Sequence, residues 1–189
     1  MKTIRTKVYQ FNELSKDAKE KAIEWFRGIN EYNGSSEVLD SIRNGLRHFE
    51  SFLKDYSIDW DNINGCDFKI KMDYDDEICE LSGVRLWKYL HNNSLLTYWN
   101  KYNKKRDDLL SGNCPFTGVT FDEDFLDNIR EFVKKPNNQT FEELLNDAVY
   151  NTINAGCKDW EYQQSDEAIA ETIEVNEYHF TKDGKIFNQ

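Results

Sequence analysis

Two hydrophobic periodicities alternate along this chain, and together they restrict its fold more than any other feature. Over 36–53, apolar residues recur at helical spacing, which predicts an amphipathic helix that starts at the serine of position 36. Over 68–74, apolar residues alternate with charged ones, which predicts a strand with one buried face. Asn64-Gly65 is a typical hairpin turn, so this strand is predicted to pair antiparallel with the preceding segment.

The remaining segments extend the same mixed pattern over the whole chain. Further helices are predicted after Ser15, at 81–91, 121–134 and 141–154, and after Ser165. Strands are predicted at 2–11 and on both sides of Asp183-Gly184, and the basic-then-acidic segment 98–108 is predicted to be a helix or a hinge. No repeat or long linker interrupts the order. We therefore expect a single compact α+β domain over 1–189, with several amphipathic helices packed on a small antiparallel sheet.

Charge divides the chain into two unequal parts. Residues 1–106 carry 18 Lys and Arg against 17 Asp and Glu, a net charge of +1, while residues 107–189 carry 6 against 18, a net charge of −12. An acidic field repels nucleic acids and anionic membrane surfaces and attracts basic partners. The composition therefore argues against direct binding of nucleic acid by the second part, and favours a basic protein as its partner.

The densest acidic cluster lies in the segment TFDEDFLDNIREF. Thr120 and Glu123 have the spacing of a capping box, in which each side chain accepts a hydrogen bond from the other residue's backbone N–H. Carboxylates in a first turn also interact favourably with the helix dipole. The apolar stripe of this helix leaves Asp122 and Asp124 predicted to point outward, with Asp127 following one turn later. We interpret the cluster first as capping and solvated surface and second as a surface for a partner.

The same capping pattern occurs at the start of a second predicted helix. Thr140 and Glu143 have the same spacing before an apolar helical run, so a second capping box is predicted there. An acidic start is therefore a recurring way to begin helices in this chain, which weakens the case for a metal site at either position.

Two further acidic groups are candidates for contact with a partner. Asp73 and Asp75 alternate at the end of the predicted strand and share one of its sides. Glu167, Glu171 and Glu174 recur at helical spacing, which places one carboxylate on each successive turn. A solvated surface predicts the same spacing, so both interpretations remain open.

Catalytic and metal-binding signatures are absent from the sequence. Segment 59–70 has the wrong residues for a calcium loop, and no nucleophile elbow, zinc, Walker or dinucleotide-binding motif occurs. Three histidines occur far apart in the sequence, at His48, His91 and His179. The cysteines are scattered and predicted to be reduced and mostly buried, and they are Cys66, Cys79, Cys114 and Cys157. We expect no catalytic residue, no metal ligand and no cofactor.

The start of the chain has no apolar core of a signal peptide, and no segment is apolar enough to span a membrane. Three segments resemble a family of small phage and prophage proteins, namely VYQFNELSKDAKEKAIEWFR, CPFTGVTFDEDFLDNIREF and EYQQSDEAIAETIEVNEYHFTKDGKIF. Members of this family often carry the label of antitoxin from a toxin-antitoxin stability system. The resemblance implies a protein in the cytoplasm of a bacterial host, and it carries no catalytic residues with it.

The phage context and the acidic second part together predict a non-enzymatic inhibitor. Its expected partner is a host defence protein with a basic nucleic-acid-binding surface, as for an anti-CRISPR protein. The predicted contact residues are Asp73, Asp75, Asp122, Asp124, Asp127, Glu167, Glu171 and Glu174. Two alternatives are an antitoxin that covers the site of a cognate toxin and a metal-dependent phage enzyme.

Overall fold

A computed structural model describes residues 7–100, 104–111 and 114–187. Over these residues the fold is α+β, as predicted, with seven α-helices and three two-stranded antiparallel sheets in place of one small sheet. The chain divides into two compact units, of which the first combines Met1–Tyr32 with Asp159–Gln189 and the second is Asn33–Lys158. The expectation of a single domain over 1–189 stays a prediction.

The first unit joins the two ends of the chain. Its elements are β1 (Tyr9–Gln10), α1 (Lys16–Arg27), α7 (Asp166–Val175) and β6 (His179–Phe180), and β1 pairs antiparallel with β6. Helix α7 begins where the Ser165 hydroxyl accepts a hydrogen bond from the backbone N–H of Ala168 at 3.2 Å. The apolar faces of α1 and α7 enclose one core, made of Phe11, Leu14, Ala18, Ala22, Phe26, Ile169, Ile173 and Phe180.

The turn that follows β6 depends on a glycine. Gly184 has a φ of +84°, and a side chain there would overlap the backbone of Ala18 in α1. Phe180 and Ile186 form an antiparallel bridge across this turn, which confirms the predicted hairpin at the end of the chain. The strand predicted at 2–11 is observed at its end as β1, and residues 1–6 lie outside the described residues.

The second unit contains the remaining elements. They are α2 (Ser35–His48), β2 (Ser51–Ser57), β3 (Asp67–Met72), α3 (Asp76–Cys79), α4 (Gly83–Asn92), β4 (Thr97–Asn100), β5 (Lys105–Asp108), α5 (Phe121–Lys134) and α6 (Phe141–Gln163), of which the residues of α6 from Asp159 onward belong to the first unit. Helix α2 packs on α5 through Gly45, where an added Cβ would lie 2.8 Å from the Phe125 ring. Within the described residues, no helix is both long and apolar enough to cross a membrane.

Several predicted boundaries are confirmed and others are wrong. The predicted β2–β3 pair is present, with half-buried Phe68, Ile70 and Met72 on one side of β3. The helix over 36–53 is too long, because Glu50 has a φ of 48° and the chain turns there into β2. A residue with positive φ interrupts a right-handed helix.

The described residues of the segment 98–108 are not helical. Its described residues form β4 and β5, which pair antiparallel, while 101–103 lie outside the described residues. Thr97, Tyr98 and Trp99 are β-branched or aromatic, and such residues favour strands. Helix α6 also continues past the predicted end at 154 as far as Gln163.

Candidate functional site

The carboxylate of Asp122 lies inside the protein rather than on its surface. Its side chain is 0% exposed. One oxygen accepts backbone hydrogen bonds from Phe116 at 2.8 Å, Thr117 at 2.7 Å and Gly118 at 3.3 Å. The other accepts a hydrogen bond from the Thr117 hydroxyl at 2.9 Å, and that hydroxyl lies 3.2 Å from Ser41 Oγ on α2. The predicted outward direction of Asp122 is therefore wrong, because the loop before α5 folds back over this carboxylate.

Glu123 also serves the fold. Its carboxylate accepts a hydrogen bond from the backbone N–H of Cys114 at 2.9 Å and pairs with Arg130 at 2.5 Å. Burial would raise the pKa of Glu123, but the Cys114 N–H and Arg130 together hold this pKa below its ordinary value. Arg130 Nε donates in turn to the carbonyl of Leu110 at 3.3 Å. These contacts fasten the segment before α5 to the helix.

The two predicted capping boxes have different outcomes. Thr120 has helical dihedral angles, with φ −57° and ψ −29°, and its side chain caps no backbone N–H, so the first box is wrong. Thr140 and Glu143 do form the second box, in which Glu143 accepts from the Thr140 N–H at 2.8 Å and Thr140 Oγ1 accepts from the Glu143 N–H at 3.2 Å. Glu123 is instead engaged by the preceding loop.

Two other acidic residues of α5, Asp124 and Asp127, are closer to solvent. Asp124 is half-buried, and burial, followed by the nearby charge of Asp127, raises its pKa above the ordinary value. Asp127 is exposed and forms an ion pair with Arg130 at 2.9 Å. A partner that used Asp127 would compete with this ion pair. The role of both residues in binding stays a prediction.

Asp73 and Asp75 are exposed where β3 leads into α3. Asp73 lines an open cavity of about 400 Å³ together with Arg43, Arg47 and Glu50, so both signs of charge are present at this place. Asp75 is the residue that precedes α3. The mixed charge makes this surface less suited to a basic partner than a uniformly acidic one.

Helix α7 carries an acidic surface that differs from α5, where ion pairs and hydrogen bonds engage the carboxylates. Glu167, Glu171 and Glu174 are all exposed on it. Among the described residues, no Lys or Arg forms an ion pair with any of the three. The opposite side of the helix buries Ile169 and Ile173 in the core of the first unit. The helical period therefore separates an apolar face from a row of carboxylates about 5.4 Å apart along the axis.

A small cavity lies at the C-terminal end of this row, and no sequence pattern indicated it. It has a volume of about 220 Å³, and its lining includes Phe11, Ile173, Glu174, Glu177 and Tyr178. Phe11 is 5% exposed and Ile173 is fully buried, so part of the wall is apolar, while the two glutamates are exposed. A long side chain with an apolar stem and a cationic end has the chemistry that this lining complements.

Other concave surfaces have a more mixed character. An open groove of about 830 Å³ lies between the end of α5 and the start of α6, and its lining combines Glu131, Asp147, Lys134 and Lys135 with amide side chains. Within the described residues, no group of three or more His, Cys, Asp or Glu side chains is placed to hold a metal ion.

Comparison with known proteins finds no relative of this chain. No protein-family model, no curated protein and no solved structure matches the chain. The α7 surface and its cavity are therefore the features that bear on function. Of the eight predicted contact residues, Asp122 is the one that burial removes from any contact surface.

Proposed function

We propose that this protein is a phage-encoded inhibitor that binds a host nucleic-acid-handling defence protein, in the manner of an anti-CRISPR protein. It acts by binding and not by catalysis. The carboxylates of Glu167, Glu171 and Glu174 occupy a basic surface on the target that would otherwise hold nucleic-acid phosphates. The observation that carries the proposal is this exposed row on α7, for which the described residues supply no cationic partner.

The row has an energetic cost in the isolated protein. Like charges three or four residues apart destabilise a helix by about 0.2–0.5 kcal/mol per pair, and the row contains two such pairs. The acidic residue next to the row, Asp166, is neutralised by Arg27 at 2.5 Å, whereas the row is not. A basic partner removes the repulsion and adds attraction, so binding is expected to be fast and sensitive to salt.

The cavity at the end of the row gives the contact an anchor. An arginine or lysine of the target can lay its aliphatic stem on Phe11 and Tyr178 and direct its cation to Glu174 and Glu177. Arginine is enriched among the residues that dominate binding energy at protein interfaces. The row supplies attraction over a distance, and the cavity supplies a position for one side chain.

The test uses two variants with equal change in charge in the same unit. The first replaces Glu167, Glu171 and Glu174 with Lys. The control replaces three other exposed acidic residues with Lys, and these are Asp17, Glu20 and Glu31. Bacterial strains that each carry one active defence system, CRISPR systems included, express wild type or variant and are challenged with a phage that the system restricts.

We expect the wild type and the control to restore plaque formation in at least one strain, and the α7 variant to lose most of that effect. In the same system, the purified wild type should compete with nucleic acid for the purified effector, with competition weakening as salt is raised. Equal activity of the α7 variant and the wild type would remove α7 as the binding surface. Failure of the wild type in every strain would refute the proposed function itself.

A further inference from the structure

Two cysteines that are distant in the sequence meet in the second unit. Cys66 lies at the end of the loop between β2 and β3, and Cys157 lies on α6. Both thiols point at the same acceptor, because Cys66 Sγ donates to the carbonyl oxygen of Asp59 at 3.3 Å and Cys157 Sγ donates to it at 3.7 Å. Both are half-buried and reduced. The cysteines are scattered in the sequence, as described, but these two come together in the fold, and the expectation of mostly buried thiols is wrong because all four are half-buried.

The contact between the loop and α6 does not depend on the thiols alone. Trp60 of the same loop packs over Gly156, where an added Cβ would lie 2.6 Å from Trp60 Cζ3. The loop is also held in shape by hydrogen bonds from Gly65 N–H to Asn62 O at 2.8 Å and from Cys66 N–H to Ile63 O at 3.1 Å. The neighbouring residues thus place Cys66 beside Cys157 before any reaction takes place.

We propose that Cys66 and Cys157 form a modification site that takes up a disulfide from a small-molecule disulfide such as oxidised glutathione. A thiolate of the pair attacks one glutathione sulfur, which breaks the glutathione S–S bond and releases one glutathione thiolate. The second cysteine then attacks the mixed disulfide and releases the second glutathione. The protein pair is oxidised, glutathione disulfide is reduced to two thiols, and the two protons of the cysteines end on them.

The order of the two steps follows from the surroundings of Cys157. Burial first, and then the Cys66 thiol and the carboxylates of Asp59 and Asp61, raise the pKa of Cys157 to about 11. Its thiolate is therefore scarce at neutral pH, and thiolates are the attacking species. Cys66, on the loop, makes the first attack, and Cys157 then resolves the mixed disulfide as a thiolate, because an attack within one molecule offsets its small thiolate fraction. The product links the loop to α6 and leaves Cys79 and Cys114 reduced.

The experiment incubates the folded protein with oxidised glutathione, blocks the remaining thiols and maps the peptides by mass spectrometry. The matched control carries Cys79→Ser and Cys114→Ser and keeps the pair. We expect this control and the wild type to give one Cys66–Cys157 bridge, with the loss of two hydrogen atoms. The single variant Cys157→Ser should instead retain a glutathione on Cys66.

Gly156→Ala supplies a second measurement, because it moves Trp60 and loosens the contact of the loop with α6. We expect it to slow bridge formation several-fold while denatured wild type and denatured variant react alike. Wild-type protein that carries separate glutathiones on Cys66 and Cys157, or that bridges other cysteines, would overturn the proposal. So would folded protein that keeps both thiols free while the denatured protein reacts.

Discussion

Replacement of Asp122 with Ala removes a fully buried carboxylate that holds the loop before α5. Three backbone N–H groups and one hydroxyl lose their acceptor. A hydrogen bond to a charged group contributes about 1.5–3 kcal/mol, but these donors share two oxygens and are only partly buried, so water replaces some of the loss. We therefore expect the free energy of unfolding to fall by about 3–5 kcal/mol.

Asp122→Asn removes the charge of this side chain and keeps its shape. The side-chain carbonyl oxygen of the Asn can still accept the backbone hydrogen bonds. Its amide group can donate to the Thr117 hydroxyl, and that hydroxyl can in turn donate its own proton to Ser41 Oγ at 3.2 Å. Only the charge is lost, so we expect a cost of about 1–2 kcal/mol. Asp124→Ala in the same helical turn is the control and should stay within about 0.5 kcal/mol, because burial already disfavours its charged form.

Urea unfolding followed by circular dichroism measures these differences, and limited proteolysis within 114–119 reports on the loop directly. Cleavage there should increase in the order wild type, Asp122→Asn, Asp122→Ala. A cost below about 1 kcal/mol for Asp122→Ala, with unchanged proteolysis, would refute the view that this carboxylate holds the loop.

Two further predictions concern caps and turns, and both are measured by thermal or urea unfolding. Thr140→Ala should cost about 1 kcal/mol, as the loss of an N-cap does, while Thr120→Ala should cost little, since its side chain caps nothing; equal costs would contradict the assigned geometry. Gly184→Ala should cost more than about 2 kcal/mol through both its positive φ and the overlap with Ala18, whereas Gly118→Ala, with positive φ in open space, should cost about 1 kcal/mol. A Gly184→Ala variant as stable as Gly118→Ala would show that the overlap relaxes freely.

Elements whose apolar pattern lies within one continuous segment were predicted from the sequence. The helix over Phe121–Lys134 has the predicted bounds, because its apolar stripe and its length appear together in the sequence. The pairing of β2 with β3 was predicted from the alternation over 68–74 and from Asn64-Gly65, although these two residues lie in a 3-10 turn of a longer loop and not in a tight hairpin turn. The hairpin of β4 and β5 was missed because charged residues occupy β5 and obscure its strand pattern.

The direction of Asp122 could not be predicted, since it depends on where a different segment folds. The spacing of Thr120 and Glu123 is the same as that of Thr140 and Glu143, yet only the second pair forms a capping box. The difference lies in the competing partners, because Arg130 and the Cys114 N–H draw Glu123 away from the helix start. A local motif predicts a contact only where no distant group offers a better one.

The acidic half of the chain therefore uses its carboxylates in two ways, and net charge alone does not distinguish them. Those of Asp122 and Glu123 hold the fold, whereas Glu167, Glu171 and Glu174 repel one another on a helix that packing on its other side keeps in place. Replacing a carboxylate that holds the fold lowers stability. Neutral Gln replacements at the same three positions remove the repulsion on α7, so such a variant should gain or keep stability while it loses affinity for the proposed partner. Opposite signs of the two effects are typical of residues kept for binding and not for folding.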